Sequence, residues 1–224
     1  LIDVVEAGRI PVGMMGEGSM QVEGAPGALV VIISGPSGVG KDTIIDAMRA
    51  LDPDRADRLY VITTTTRARR SYEVDGVHYL FRSHDEFARL RATNGLLEDA
   101  QVHGNWYGTP RDQVVDALTA GKDAILKIDV QGARTVRALI PDALMIFVIP
   151  PSVEELRARL VARSTETPEA LERRMRNAEQ ELARKDDYDH VVVNETGRVA
   201  ETAAAIDRII AAEHARFPMR RLRV

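Results

Sequence analysis

Apolar positions along the chain fall into short continuous runs separated by stretches of helical spacing. Val30-Val31-Ile32-Ile33 is a branched apolar run that stops at Ser34-Gly35, the pattern of a strand buried on both faces. Beyond it the spacing changes. Ile44, Ile45, Met48 and Leu51 recur at helical intervals, and Asp52-Pro53-Asp54 predicts the helix stop. Leu59-Tyr60-Val61-Ile62-Thr63 reads as a second strand, and Ala124–Val130, Ala143–Ile149 and Asp189–Asn194 as three more. Helices are predicted from Arg111 to about Ala120, where Gly121 ends the pattern, over Gly132–Leu139, and from Val199 to about Ala215. Strands alternating with helices predict an α/β fold with a parallel core sheet.

Two excursions interrupt that alternation. In the first, Asp75-Gly76 lies between Glu73-Val74 and Val77–Phe81 and predicts a small hairpin. Ser83 followed by Glu86 is a capping box, opening a helix that Gly95 ends. Leu96–Val102 and Asn105–Thr109 read as further strands, in which Trp106 and Tyr107 suit a core as well as a ligand. The second excursion is arginine-rich and helical. Ser152 is its N-cap with Glu155 at the third position, and Thr167 with Pro168 starts a second helix. Arg157 and Arg176 there read as a solvated face paired with neighbouring glutamates.

Composition narrows the classes. The 224 residues suffice for one sizeable core with insertions or for two small domains, and 45% are hydrophobic against 29% charged. A net charge of -4 argues against general nucleic-acid binding, so clustered arginines need local explanations. No stretch is apolar for long enough to span a membrane. The absence of cysteine excludes disulfides and thiolate metal sites and suits a cytoplasmic protein. Residues 1–26 lack the features of a secretory signal and read as a mobile extension, with Met14, Met15 and Met20 as alternative starts. Arg216–Val224 reads as a basic, solvated tail.

The chemistry gathers first at the end of the leading strand. Gly35-Pro36-Ser37-Gly38-Val39-Gly40-Lys41 fits G-x-x-x-x-G-K between a strand and a helix, the frame of a P-loop. Its glycines let backbone N–H groups turn inward on a phosphate, the helix N-terminus adds partial positive charge, and Lys41 reaches the outer phosphates. The residue after the lysine is normally Ser or Thr for magnesium; here it is Asp42, with Thr43 one place late. Thr63-Thr64-Thr65-Thr66-Arg67-Ala68-Arg69-Arg70 is either a solvated loop or a second anion site in which arginines fork onto a phosphate. Asp129 ends a strand at the edge where open parallel sheets bind ligands.

Several ordered motifs together resemble the guanylate kinases over about Ala28–Phe217. These are the P-loop, Thr65–Arg70, Glu73-Val74-Asp75-Gly76-Val77-His78-Tyr79, Gly104–Thr109, Ile128-Asp129-Val130-Gln131-Gly132 and Pro150-Pro151-Ser152. The resemblance implies a P-loop NTPase three-layer fold with core at 27–62, 116–150 and 186–216. It also implies an inserted GMP-binding lobe at 63–115, a helical lid at 151–185 and a tail at 217–224. The implied activity is transfer of the γ-phosphoryl of ATP to GMP or dGMP, with magnesium and no partner beyond these substrates, by a monomer or homodimer.

By the same resemblance, Arg67, Arg70, Tyr79 and Tyr107 hold the acceptor phosphate, and Glu73 belongs to the same set. Glu98 and Asp129 accept from guanine N1–H and its 2-amino group, with Thr63 and Thr109 completing the pocket. Gly35–Thr43 with Lys41 cradle ATP, Asn194 approaches adenine, and Arg159, Arg163 and Arg174 close over the phosphates from the lid. Two departures stand out. Asp42 replaces the P-loop hydroxyl, and Lys127 stands where the family usually has an acid. The two changes conserve local charge, so the expectation is that Asp42 takes the metal side and pairs with Lys127. Two rivals differ in function. Gly-Lys-Asp also resembles ribose 1,5-bisphosphate phosphokinases, and the fold also serves non-catalytic guanylate-kinase-like binding modules.

Overall fold

Val30–Ser34 (β2) is five residues without an exposed side chain, and the Gly35-containing turn after it leads straight into helix Lys41–Leu51 (α1). The computed structural model describes residues 4–6, 22–51, 56–102, 104–163 and 168–224. Ahead of β2 lies Val4–Glu6 (β1). After α1 come Arg58–Tyr60 (β3), Thr64–Thr65 (β4), Leu80–Phe81 (β5), His84–Ala92 (α2), Leu96–Val102 (β6) and Asn105–Pro110 (β7). Arg111–Thr119 (α3), Asp123–Lys127 (β8), Val130–Leu139 (α4), Leu144–Ile149 (β9), Val153–Arg163 (α5) and Pro168–Leu182 (α6) follow. A 3-10 turn at Lys185–Asp187, strand His190–Val193 (β10) and helix Val199–Arg216 (α7) complete the order.

Contacts divide the chain into two units. One holds Leu1–Pro11, Ile33–Arg55 and Leu144–Arg216. Its strands run in the order β1, β10, β9, β2. β9 and β10 are parallel, with His190 opposite Ile146 and Val193 opposite Ile149, and β1 adds an antiparallel edge. Leu144–Val148 are all at most 3% exposed, as a strand covered on both faces requires. Helix α7 packs on α1 and on β9 and β10 through Ala203, Ile206 and Ile210. Helices α5 and α6 pair through Leu156, Leu160, Met175 and Ala178. Each leucine, isoleucine or methionine side chain so taken from water stabilises the fold by roughly 1.5–3 kcal/mol, and each alanine methyl by less.

The other unit holds Val12–Ile32, Ala56–Ala143 and Phe217–Val224. Here β2, β8 and β3 are neighbours, with β3 and β8 parallel. A second sheet, ordered β5, β4, β7, β6, forms the inserted lobe. β6 and β7 pair antiparallel, with Glu98 opposite Thr109 and Ala100 opposite Tyr107. The threonine run stitches this sheet together. Thr65 Oγ1 donates to the Trp106 carbonyl at 2.8 Å, and Thr66 Oγ1 accepts from the Trp106 N–H at 2.9 Å.

Several expectations need correction. The Asp75-Gly76 turn makes no hairpin: β5 takes β4 as a parallel partner, and Asp75 Oδ1 accepts the Phe81 N–H. Leu51, the last residue of α1, is 46% exposed and is not part of the helix's packed face. The C-terminal tail is anchored. Gly24 and Gly27 donate backbone bonds to Leu222 and Arg220, Val22 and Val224 exchange theirs, and Leu222 is 2% exposed. Arg157 bonds Glu172 on the neighbouring helix rather than a glutamate one turn away. Both capping signals are present: Ser83 with Glu86, and Ser152 Oγ accepting the Glu155 N–H. The Asp52–Asp54 stop, the Thr167 cap and most of the N-terminal extension lie outside the described residues. No helix among the described residues is long and apolar enough to cross a membrane.

Candidate active site

The first group of site residues lies in the first unit, around the loop between β2 and α1. Gly35 has φ +143°, and a Cβ there would stand 2.3 Å from the Val148 carbonyl, so only glycine lets β2 turn beside β9. Lys41 Nζ folds back onto the carbonyls of Gly35 and Pro36, which holds the ammonium at the loop. The Val39 carbonyl accepts from Asn194 Nδ2 at 2.7 Å and from Arg159 Nη1 at 3.2 Å. Arg159 also bonds the Asn194 carbonyl at 2.7 Å and Glu155 at 2.5 Å. Arg159 is thus gathered with Val39 and Asn194, and Arg174 reaches the loop elsewhere, donating to Ser37 Oγ at 3.1 Å.

Glu181 was not foreseen. It lies seven residues after Arg174, two helical turns along the same face of α6, and its carboxylate accepts the Ser37 N–H at 3.2 Å. That spacing from Arg174 was the available sequence signal. The Arg163 side chain lies outside what the structure describes. Asp42 and Thr43 stand exposed in the first turn of α1. A carboxylate and a hydroxyl are hard oxygen donors that suit Mg²⁺. Among the described residues no three or more His, Cys, Asp or Glu side chains group as a metal cage.

The second group lies in the second unit. Arg67 forks onto Glu73 with bonds of 2.7 and 3.1 Å, and the Arg70 N–H adds a third to the same carboxylate at 2.8 Å. Burial at 3% exposure favours the neutral acid, but these donors together outweigh it and hold Glu73 below the usual carboxylate range. Arg67 is desolvated too, yet Glu73 and Tyr107 keep it firmly charged. Its guanidinium lies 5.4 Å from the Tyr79 ring centre, and Tyr79 meets Tyr107 edge-on at 6.1 Å. The Arg70 side chain is 59% exposed, with Nη1 3.8 Å from Glu73 Oε1 and donating to the Tyr72 hydroxyl at 3.1 Å. Lys127 Nζ lies 4.6 Å from the Tyr79 ring, which brings a further cation to this cluster. Trp106 belongs elsewhere, stacked on Phe87 and covered by Arg91.

The base pocket follows from strand register. Glu98 and Thr109 face each other across β6 and β7, and Thr109 Oγ1 donates to Glu98 Oε1 at 2.6 Å. Burial pushes the Glu98 carboxyl up to about 7; the Thr109 bond opposes this, and the Asp129 and Asp99 carboxylates add to it. Asp129 caps α4, with Oδ1 accepting the Gly132 N–H at 2.8 Å. Thr63, 5% exposed, enters β4.

A strand–P-loop–helix unit, an inserted lobe with paired arginines and tyrosines, and helices carrying arginines to the loop define a P-loop nucleotide kinase. A family model described as Guanylate kinase matches residues 28–213. A guanylate kinase of Symbiobacterium thermophilum is 46% identical over 85% of this chain and 88% of its own. That of Bacillus subtilis is 46% identical over 83% and 89%. The crystal structure of guanylate kinase from Anaplasma phagocytophilum superposes with a TM-score of 0.65 at 30% identity, covering 83% of this chain and 86% of that one. The chain belongs to the guanylate kinase family.

Proposed function

We propose that the protein transfers the γ-phosphoryl group of ATP to GMP or dGMP, releasing ADP and GDP or dGDP. An oxygen of the acceptor phosphate attacks the γ-phosphorus, and the bond from that phosphorus to the bridging oxygen of ADP breaks. No covalent enzyme intermediate is needed, so positioning and charge carry the catalysis. The observation that carries the reading is the buried Glu98 carboxylate, held by Thr109 in a pocket whose other acid is Asp129. Two carboxylate acceptors match the adjacent N1–H and 2-amino donors of guanine, a pair that adenine lacks.

In this reading Arg67, Arg70, Tyr79 and Tyr107 hold the acceptor phosphate, with Glu73 fixing the fork of Arg67. Lys41 and the amides of the P-loop hold the phosphates of ATP. Arg159 and Asn194 support the loop at Val39, while Arg163 and Arg174 supply positive charge from the lid helices. Asp42 would hold magnesium on the loop side, and the ion, when bound, neutralises phosphate charge. A cytoplasmic location accords with nucleotide substrates and a chain without cysteine.

Retention of Lys41 and of the whole guanine set favours an enzyme over a binding module. The test is ADP formation from ATP and magnesium with GMP, dGMP, AMP or ribose 1,5-bisphosphate as acceptor. Fast turnover with GMP and dGMP and little with the other two is expected. Preference for ribose 1,5-bisphosphate would replace the reading.

A further inference from the structure

Gly132 lies in the first turn of α4, buried, with helical backbone that any residue adopts. Glycine is nonetheless among the weakest helix formers, so the backbone does not ask for it here. What the position lacks is space. A Cβ would stand 2.5 Å from Glu98 Oε2, 2.9 Å from Glu98 Cδ and 3.5 Å from Asp129 Oδ1. The same residue's N–H is already given to Asp129 at 2.8 Å. Gly132 therefore touches both acids of the base pocket, one with its bare Cα and the other with its amide.

We propose that Gly132 is a specificity-determining residue, whose missing side chain sets the place of the Glu98 carboxylate and its spacing from Asp129. The inference rests on the reading that these two acids accept from guanine. Glu98 has little freedom to retreat: it is 6% exposed, its other oxygen is held by Thr109 at 2.6 Å, and Thr109 is fully buried. Its backbone is fixed in the β6–β7 ladder. A methyl group at 132 leaves only one thing to give, the carboxylate itself. Such a displacement strains the buried Thr109 bond, but it moves a side-chain end rather than backbone, so the fold should survive it. It costs recognition much, because a buried acceptor misplaced by about 1 Å no longer meets its donors.

The test is Gly132→Ala with steady-state kinetics and thermal unfolding. The midpoint of unfolding is expected within a few degrees of that of the parent, the helix-propensity gain offsetting the strain at Glu98, while KM for GMP rises about ten- to a hundredfold and KM for ATP stays within about twofold. Preference for GMP over inosine monophosphate, which lacks the 2-amino group, narrows in parallel. Glu98→Asp shortens the acid by one methylene and returns the lost room. It should damage the parent but partly rescue Gly132→Ala, whether the defect is in KM or in folding.

Unchanged KM for GMP in folded Gly132→Ala, or no rescue by Glu98→Asp, overturns the inference. Glu98→Gln separates the two levels. If it leaves the KM for GMP and the GMP preference intact, the guanine assignment has failed; if only Glu98→Gln is defective, Gly132 alone has been misassigned.

Discussion

Arg67 and Glu73 form a two-bond fork in which the acid is almost completely buried and the guanidinium is 16% exposed. The pair is the anchor of the acceptor-phosphate cluster, since Glu73 also accepts the Arg70 N–H. Glu73→Gln keeps the shape and removes the charge, leaving Arg67 a weaker partner. The loss of charge-assisted bonds is expected to cost about 1–3 kcal/mol, seen as a lower midpoint of unfolding. KM for GMP should rise about tenfold or more with KM for ATP nearly unchanged. An equal rise in both would place Glu73 outside the acceptor site.

Glu98 predicts a pH dependence. Its ordinary value of 4.5 is pushed up to about 7 by burial, with Asp129 and Asp99 adding to the effect. A folded pKa above the unfolded one means that this group's stabilising contribution is present in full below the unfolded value and is lost as pH rises through about 7. Recognition runs the other way, because guanine needs the ionised acceptor. KM for GMP should therefore fall between about pH 6 and 8. The acceptor phosphate also titrates near pH 6, so the comparison is with Glu98→Gln, whose profile should lose the component near 7. Identical profiles would contradict the assignment.

Much of this was legible in the sequence, and the failures have physical causes. The P-loop, both capping signals and the core strands rest on local pattern, and local pattern survives folding. Asp75-Gly76 failed because the partner of Leu80–Phe81 is β4, many residues upstream, and turn chemistry says nothing about that choice. The tail at Leu222–Val224 pairs with Val22–Gly24, a contact across nearly the whole chain that no periodicity reports. Glu181 and Gly132 owe their importance to neighbours distant in sequence, Ser37 and Glu98. Arg159 shows the opposite case. Its residue type promised a phosphate, and its strongest partners here are the Asn194 carbonyl and Glu155.

Asn194 joins two segments. Its Nδ2 donates to Val39, and its Oδ1 accepts from Thr202 at 3.2 Å. Asn194→Ala removes one bond from each partner, while Val39 keeps Arg159 and Thr202 keeps the Val193 and Arg198 carbonyls, and an unfolding free energy lower by roughly 0.5–1.5 kcal/mol for each lost bond is expected. KM for ATP should rise several-fold while KM for GMP holds. Stability loss without any kinetic change would make Asn194 a structural residue only.

Asp42 and Lys127 are the two departures in charge, and whether they compensate one another is a matter for a double-mutant cycle. Asp42→Ser and Lys127→Glu should each lower kcat about tenfold or more, and the double variant should recover most of that loss. Effects that simply multiply in the double variant would show two independent substitutions. Magnesium titrations of the same variants report which side of the reaction Asp42 serves.

The most direct measurement follows the phosphoryl group itself. Stoichiometric ATP, magnesium and GMP are incubated with the protein, and all phosphorus species are resolved at completion by phosphorus NMR. ADP and GDP appearing in equal amounts, with negligible inorganic phosphate, is the predicted result. ADP accompanied by inorganic phosphate while GMP stays unchanged would contradict an enzyme that delivers its phosphoryl group to guanine nucleotides.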